Sequence, residues 1–354
     1  MKDMDMRRIA KQCGMVSVMM VAFTCQSLAA DFETPRCQQE VLVPCAKEGW
    51  QLGFEALYVQ TTSDDLAYAQ NTNRTEYLRN KWTFAFQINV GYHFGQGNDL
   101  LLSWRRIDKI SKRASQDLQI PSSFGLIPVI PSVVLPPALE LFPQGIVAEA
   151  DVNEQNLVAL DFGKTAFWGP NLTTRHFAGI QYARVESDLK VNAKALRLPN
   201  ALQPVTSPFV ATTVETLSRF NGLGARVGME GAYHLGGGVS LVGLGYVGAL
   251  FGEVDYRQNV TAIVNSITLE RAVVNSIRTR TNTVSPNAEG RIGLRYTRDW
   301  SEDNQVELEA GYLATNFWST VRGSQAYAPP VTLINGLGAF GYHGPYVKLS
   351  WIGT

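Results

Sequence analysis

The stretch Lys81–Phe94, KWTFAFQINVGYHF, alternates without a break. Trp82, Phe84, Phe86, Ile88, Val90, Tyr92 and Phe94 hold the even positions; Thr83, Ala85, Gln87, Asn89, Gly91 and His93 hold the odd ones. Successive strand side chains point to opposite sides, so this is a strand with two unlike faces. A soluble sheet would cover the apolar face with another layer. Here the pattern recurs along the chain without a covering helix, and aromatic rings mark both ends. That combination predicts a transmembrane β-barrel strand, apolar toward lipid and polar toward a lumen. A large soluble sandwich is the competing reading.

The N-terminus speaks for export. Arg7, Arg8 and Lys11 precede an apolar run from Gly14 to Phe23, and Ser27-Leu28-Ala29-Ala30 offers small residues for cleavage. This reads as a signal peptide over residues 1–30, too short for a spanning helix. Cys25 belongs to the discarded piece, since Thr24 fits a lipoprotein site poorly. Removing Lys2, Arg7, Arg8 and Lys11, with Asp3 and Asp5, takes 31 basic and 31 acidic residues to 27 and 29. A charge near −2 argues against nucleic acid as a partner. Residues 31–49 form a periplasmic N-terminal segment carrying Cys37 and Cys45. In an oxidising compartment a disulfide is expected, within the chain or between chains. A metal site is disfavoured there, because no histidine lies nearby.

The barrel is expected over residues 50–354. Trp50–Gln60, Lys81–Phe94, Asp99–Ile107, Val152–Gly163, Thr173–Glu186, Leu217–His234, Val239–Gly252, Asn287–Arg298, Gln305–Phe317 and a terminal strand ending VKLSWIGT all suit strands. Faces are legible in all but Val239–Gly252, where both sides are apolar or glycine. Asp108–Asp151 breaks the pattern. Its prolines (Pro121, Pro128, Pro131, Pro136, Pro137 and Pro143) exclude a regular strand or long helix. Its apolar run FGLIPVIPSVVLPPALELF speaks against disorder, so it should pack on the rim, fold into the mouth or contact a neighbour. Ser187–Thr216, Glu253–Pro286 and Trp318–Ala339 are the other long excursions, the third of these four rich enough in Thr, Val and Ile to extend strands above the membrane. Long connections follow odd strands and short ones follow even strands. A sandwich has no reason to sort loops this way; a transmembrane barrel does. The expectation is an all-β, antiparallel up-and-down barrel of about ten strands, up to fourteen if the long loops hold hairpins. Its long loops are extracellular and its short turns periplasmic.

Alternation sends Glu55, Gln87, Asn89, Arg105, Asp161, Arg226, Glu230, Glu289, Arg291, Arg295, Glu307, Glu309 and Lys348 inward. Toward lipid, an arginine or lysine at the midplane would cost about 2–4 kcal/mol. Inward, they can line a polar conduit or bridge one another into a plug, and narrow barrels fill with side chains. A turn centred near Ser301 would set Arg295 opposite Glu307 and Gly293 opposite Glu309. Nothing points to an enzyme or a cofactor. His93, His176, His234 and His343 lie on separate strands or strand ends, and no nucleophile elbow, metal-binding helix or phosphate loop is present.

FEALYVQ (Phe54–Gln60), LLSWRRID (Leu101–Asp108), FAGIQYARVES (Phe177–Ser187) and GPYVKLSWIG (Gly344–Gly353) resemble the Legionella-type major outer-membrane protein family. The resemblance implies an abundant, pore-forming porin of the outer membrane, cross-linked through cysteines, for which Cys37 and Cys45 are the candidates. The chain departs from common bacterial barrels at its end, where Gly353-Thr354 replaces a terminal phenylalanine. The expected function is therefore passive passage of small hydrophilic solutes or ions. The alternative is a structural or adhesive surface barrel closed by its own side chains. Expected partners are outer-membrane lipid, small solutes or ions, and either a homo-oligomer or disulfide-linked neighbours.

Overall fold

The computed structural model describes residues 48–63, 67–71, 74–77, 82–94, 97–108, 110–117, 127–128, 141–197, 209–265, 271–301, 303–322 and 337–353. The chain divides into Met1–Gln38 and Gln39–Thr354, and all described residues belong to the second unit. Residues 1–30, expected to form a signal peptide, and Cys37 and Cys45 lie outside the described residues.

Ten strands close into one antiparallel barrel. They are β1 (Gly49–Ser63), β2 (Trp82–His93), β3 (Asn98–Ile107), β4 (Leu141–Trp168), β5 (Leu172–Arg197), β6 (Phe209–Gly236), β7 (Val239–Asn265), β8 (Arg271–Asp299), β9 (Asn304–Arg322) and β10 (Leu337–Gly353). Each pairs with its chain neighbours, and β1 pairs with β10 to close the wall. A continuation of β3, Ile110–Asp117, keeps pairing with β4. Short pieces at Ala67–Asn71, Arg74–Tyr77 and Ile127–Pro128 form a small separate sheet. Closure matters because a bilayer offers no partner to an unpaired strand edge.

Alternation sorts the side chains as expected. On β6 the outward set runs Leu235, Tyr233, Gly231, Met229, Val227, Ala225, Leu223, while Phe220, Gly222, Arg226 and Ala232 are buried. From Leu235 to Leu223 is about 40 Å of strand, or about 28 Å of height at a tilt of about 45°. That matches the apolar band of an outer-membrane barrel, about 25 Å tall. Aromatic clusters stand at both margins. Trp50 meets Tyr92 with centroids 5.3 Å apart at the end with the short turns, and Tyr58 stacks on Trp82 at 5.2 Å at the other.

Short turns join β2–β3, β4–β5, β6–β7 and β8–β9; longer connections follow β1, β3, β5, β7 and β9. The β6–β7 turn needs its glycines, since Gly237 and Gly238 take φ of 61° and 81°.

Three expectations need correction. Strands run well past the band through Glu253–Asn265 and Arg271–Pro286, as their Thr, Val and Ile content allowed, but also through Ser187–Arg197, Phe209–Thr216 and Trp318–Arg322, where connections were expected. The segment 108–151 is likewise partly strand, at Ile110–Asp117 and from Leu141 onward. Prolines survive because they sit where the ladder can spare an N–H. Pro143 borders a register shift of β4 against β5, and pairing of β8 with β9 stops at Asn287, the residue after Pro286. The β8–β9 register is also two residues from the expected one: Arg295 faces Glu309, Thr297 faces Glu307 and Gly293 faces Gly311. The turn is tied from its far side, with the Trp300 amide donating to the Asn304 carbonyl at 2.9 Å and the Asn304 amide to Ser301 Oγ at 3.1 Å.

Candidate functional site: the barrel lumen

The buried face carries two strata. Nearer the short turns lie paired charges; beyond them, toward the long connections, lies an apolar layer.

The charged stratum centres on Glu289 of β8. Its carboxylate accepts from Arg105 of β3 at 2.6 and 3.1 Å, from Arg291 at 2.6 Å and from Thr315 of β9 at 2.9 Å. Arg105 also donates to Gln87 at 2.7 Å and to the Tyr342 hydroxyl at 2.5 Å. Arg291 reaches Glu55 of β1 at 2.9 and 3.0 Å, with its guanidinium 5.4 Å from the Tyr346 ring centroid. The Glu55 and Arg291 side chains are 0% and 8% exposed. An isolated buried charge would be very costly, so this network stands only because each ion has partners on other strands.

A second group lies closer to the short turns. Arg295 donates to Glu309 at 2.8 Å and to Glu230, with Glu307 3.9 Å away; Glu309 also accepts from Tyr346 at 2.7 Å. Lys348 sits in register with both Glu55 and Glu309. Arg226 pairs with Asp161 at 2.7 Å and lies 5.0 Å from the Tyr246 ring centroid. Arg175 pairs with Asp99 at 2.7 Å. Gln87 donates to Asn89 at 2.7 Å. A cavity of about 30 Å³ lies beside Glu230, Arg291, Arg295, Glu309 and Lys348, room for a water or two at most.

Small wall residues make space for these groups. A Cβ on Gly163 would sit 2.6 Å from the Arg175 guanidinium, and one on Gly311 would sit 2.9 Å from the Tyr346 hydroxyl.

The apolar stratum is built from Leu57, Ile107, Leu157, Val185, Phe220, Leu250, Leu313 and Phe340, all buried, with every barrel strand except β8 contributing to the cluster. These residues follow the charged ones along up-going strands and precede them along down-going ones: Glu55 then Leu57, Arg105 then Ile107, but Phe220 before Arg226.

Of the thirteen residues that alternation sends inward, Glu55, Gln87, Asn89, Arg105, Asp161, Arg226, Glu289 and Glu309 are buried, and Glu230, Arg291, Arg295, Glu307 and Lys348 are half-buried. Sequence reasoning did not single out Asp99, Arg175, Gln181, Tyr246, Asn287, Tyr342 or Tyr346. For Asp99, Arg175 and Gln181 the parity signal was available. Tyr246 was hidden because both faces of β7 read as apolar. The histidines stay apart in role: His93 bonds Gln51 at 3.0 Å, His234 bonds Ser240 at 2.8 Å and His343 bonds Tyr312 at 2.6 Å. Among the described residues no group of three or more His, Cys, Asp or Glu is placed to hold a metal ion.

The family model described as Legionella pneumophila major outer membrane protein precursor matches residues 42–353. The chain belongs to that family. It is an outer-membrane barrel protein. No curated protein sequence matches it. Among solved structures it is similar to the outer membrane protease OmpT from Escherichia coli, at 11% identity and a TM-score of 0.42, covering 86% of this chain and 97% of that one. It is also similar to a Pseudomonas aeruginosa FadL homologue, at 8% identity and 0.29, covering 87% and 90%. A third is the P. putida toluene transporter TodX, at 7% and 0.26, covering 88% and 91%.

Proposed function

We propose that this protein is an outer-membrane barrel whose resting lumen is closed by its own side chains, and which holds a projecting sheet above the outer leaflet. The observation that carries this reading is the Arg105–Glu289 pair. Its strands stand five places apart around a ten-strand wall, and the side chains still meet at 2.6 Å. In this reading the bridge between opposite walls, with its flanking side chains, obstructs the aqueous path at that level, and the apolar stratum above it acts as a dewetting barrier. The projecting part has substance of its own: β4 to β8 are 26 to 29 residues long, where about 9–11 suffice to cross. In this reading the family's abundance in the membrane serves wall-building and surface contact.

The second reading is a porin passing small hydrophilic solutes or ions. The mixed-charge cavity beside Arg295, Glu230 and Lys348 favours it, since that is the start of a polar path. Conduction would require the Arg105–Glu289 bridge to part and the apolar layer to hydrate. Reconstitution of folded protein into planar bilayers separates the two. The closed reading expects a silent bilayer, with conductance events appearing in Arg105→Ala combined with Phe220→Ala. Discrete conductance from the unaltered protein would overturn it in favour of the porin.

A further inference from the structure

Four strands change character at one height on the outward face. Tyr182, Leu223, Phe251 and Val284 form one register row across β5–β8, all apolar and exposed. The next row up is Arg184, Asn221, Glu253 and Asn282, then Glu186, Arg219, Asp255 and Arg280, then Asp188, Leu217, Arg257 and Arg278. The lipid band ends between the first two rows, because charges of this density do not face acyl chains. Arg280 stands about 9 Å above Val284, and Arg257 and Arg278 about 14 Å, so their long side chains reach down toward the polar headgroup layer, about 5–8 Å thick.

The arginines at this level outnumber what the protein gives them. Arg257 and Arg278 are direct register partners across β7 and β8, a like-charged pair that repels unless bridged. Asp255 bridges them, accepting from Arg257 at 3.1 Å and Arg278 at 2.9 Å. Arg280 leans on the same carboxylate at 3.7 Å and on Glu253 at 3.4 Å. Three guanidinium groups thus share two carboxylates, and their side chains are 45%, 48% and 58% exposed. Each guanidinium has five N–H donors in a fixed fork, more than Asp255 and Glu253 can absorb. Directly beneath, Phe251 and Val284 offer an apolar wall.

A cationic surplus at headgroup height above an apolar strip has the chemistry of a phosphorylated lipid's binding face. We infer that Arg257, Arg278 and Arg280 hold the phosphate of an outer-leaflet glycolipid whose acyl chains lie against Phe251 and Val284. Guanidinium forks suit phosphate oxygens, each bond being charge-assisted. The lipid phosphate then completes what Asp255 and Glu253 do in part in the free protein. Lys190 and Glu215, one row higher, already satisfy one another at 2.7 Å and lie outside the site.

The test uses the full refolded protein in detergent, with bound lipid counted by native mass spectrometry. The probes are bis-phosphorylated lipid A, its dephosphorylated form, and inorganic phosphate as competitor. The unaltered protein is expected to retain the phosphorylated lipid about tenfold better than the dephosphorylated one. R257Q/R278Q/R280Q should lose that preference and K190Q/E215Q should keep it. R280Q alone, whose internal contacts are the longest, should weaken it and serves if the triple variant does not show the heat-modifiable migration of a folded barrel. Equal retention of both lipids, a preference surviving in R280Q and the triple variant, or loss of it in K190Q/E215Q would each overturn the site. So would displacement by millimolar inorganic phosphate, which would reveal a free-anion site instead.

Discussion

Arg105 and Glu289 sit on strands β3 and β8, on opposite walls of the barrel, yet their side chains make two hydrogen bonds of 2.6 and 3.1 Å. Both side chains are almost wholly buried, at 4% and 1% exposure. The pair acts as a strut across the lumen. Removing one end leaves the other charge with fewer partners in a place water does not reach. Arg105→Ala should therefore destabilise the barrel by about 3–5 kcal/mol, read as a lower urea midpoint in lipid vesicles. In a double-mutant cycle with Glu289→Ala the two losses should fall well short of additive; additive losses would show that the strut does not couple the walls.

The β8–β9 register yields a sharper contrast between two neighbouring acids. Arg295 is directly opposite Glu309 and bonds it at 2.8 Å, whereas Glu307 stands 3.9 Å away opposite Thr297. Glu309 additionally accepts from Tyr346. Glu309→Gln should cost about 1.5–3 kcal/mol, as for charge-assisted bonds, and Glu307→Gln less than about 1 kcal/mol. Equal costs would mean that Arg295 treats the two acids alike.

Gly311 faces the lumen beneath the Tyr346 hydroxyl. An added Cβ would also meet the Ile292 carbonyl at 2.3 Å, which is backbone and cannot swing aside. Gly311→Ala should destabilise by about 1–3 kcal/mol. Gly231, with nothing near its Cβ position, should accept alanine at little cost. Similar refolding yields and urea midpoints for the two variants would contradict this packing.

Above the membrane, Asp255 supplies a pH dependence. Hydrogen bonds from Arg278 and then Arg257 hold its carboxyl down to about 2, from an ordinary 3.8. A depressed carboxylate stabilises the fold fully above its unfolded value and loses that contribution as pH falls through its folded one. Hydrogen-exchange protection in the upper parts of β7 and β8 should stay level from pH 7 to about 4, then fall between about 3.8 and 2. Solvent screening keeps the effect small. Asp255→Asn should remove that step; an unchanged step would assign it to another acid, such as Glu186, which Arg219 likewise holds at about 2.

Phe220 tests the apolar stratum. It is fully buried and packs in the cluster with Leu250 and Phe340. Phe220→Ala should cost about 3–5 kcal/mol, measured by the same urea titration. A loss below 1 kcal/mol would mean that this level of the lumen is loosely filled.

Much of this was legible in the chain, and what was hidden had physical causes. Inside the band the two faces meet different solvents, so alternation is strong: Phe84 to Phe94 could be read residue by residue, and with it Gln87 and Asn89. Past the boundary row the outward face meets water. Stretches such as Arg278–Thr283 then carry polar residues on both faces, and the period of two fades although the strand continues. Parity places a side chain in the lumen but does not say whom it meets there. Glu289 finding Arg105 across the barrel depends on strand stagger and closure, which pairwise turn counting cannot supply. The same limit produced the misjudged Arg295 partner, since moving a turn's centre by one residue moves the opposite position by two.

The seam between β1 and β10 pairs Trp50 with Gly353, roughly 300 residues away along the chain. Every other junction in the wall can zip from a neighbouring turn or loop; this one waits for the last strand to arrive. Until then both terminal strands present bare edges that would accept any strand of another chain. Biogenesis of this protein is therefore governed by how long a half-finished sheet can be kept from its own kind, a constraint set before the wall closes rather than by the folded barrel.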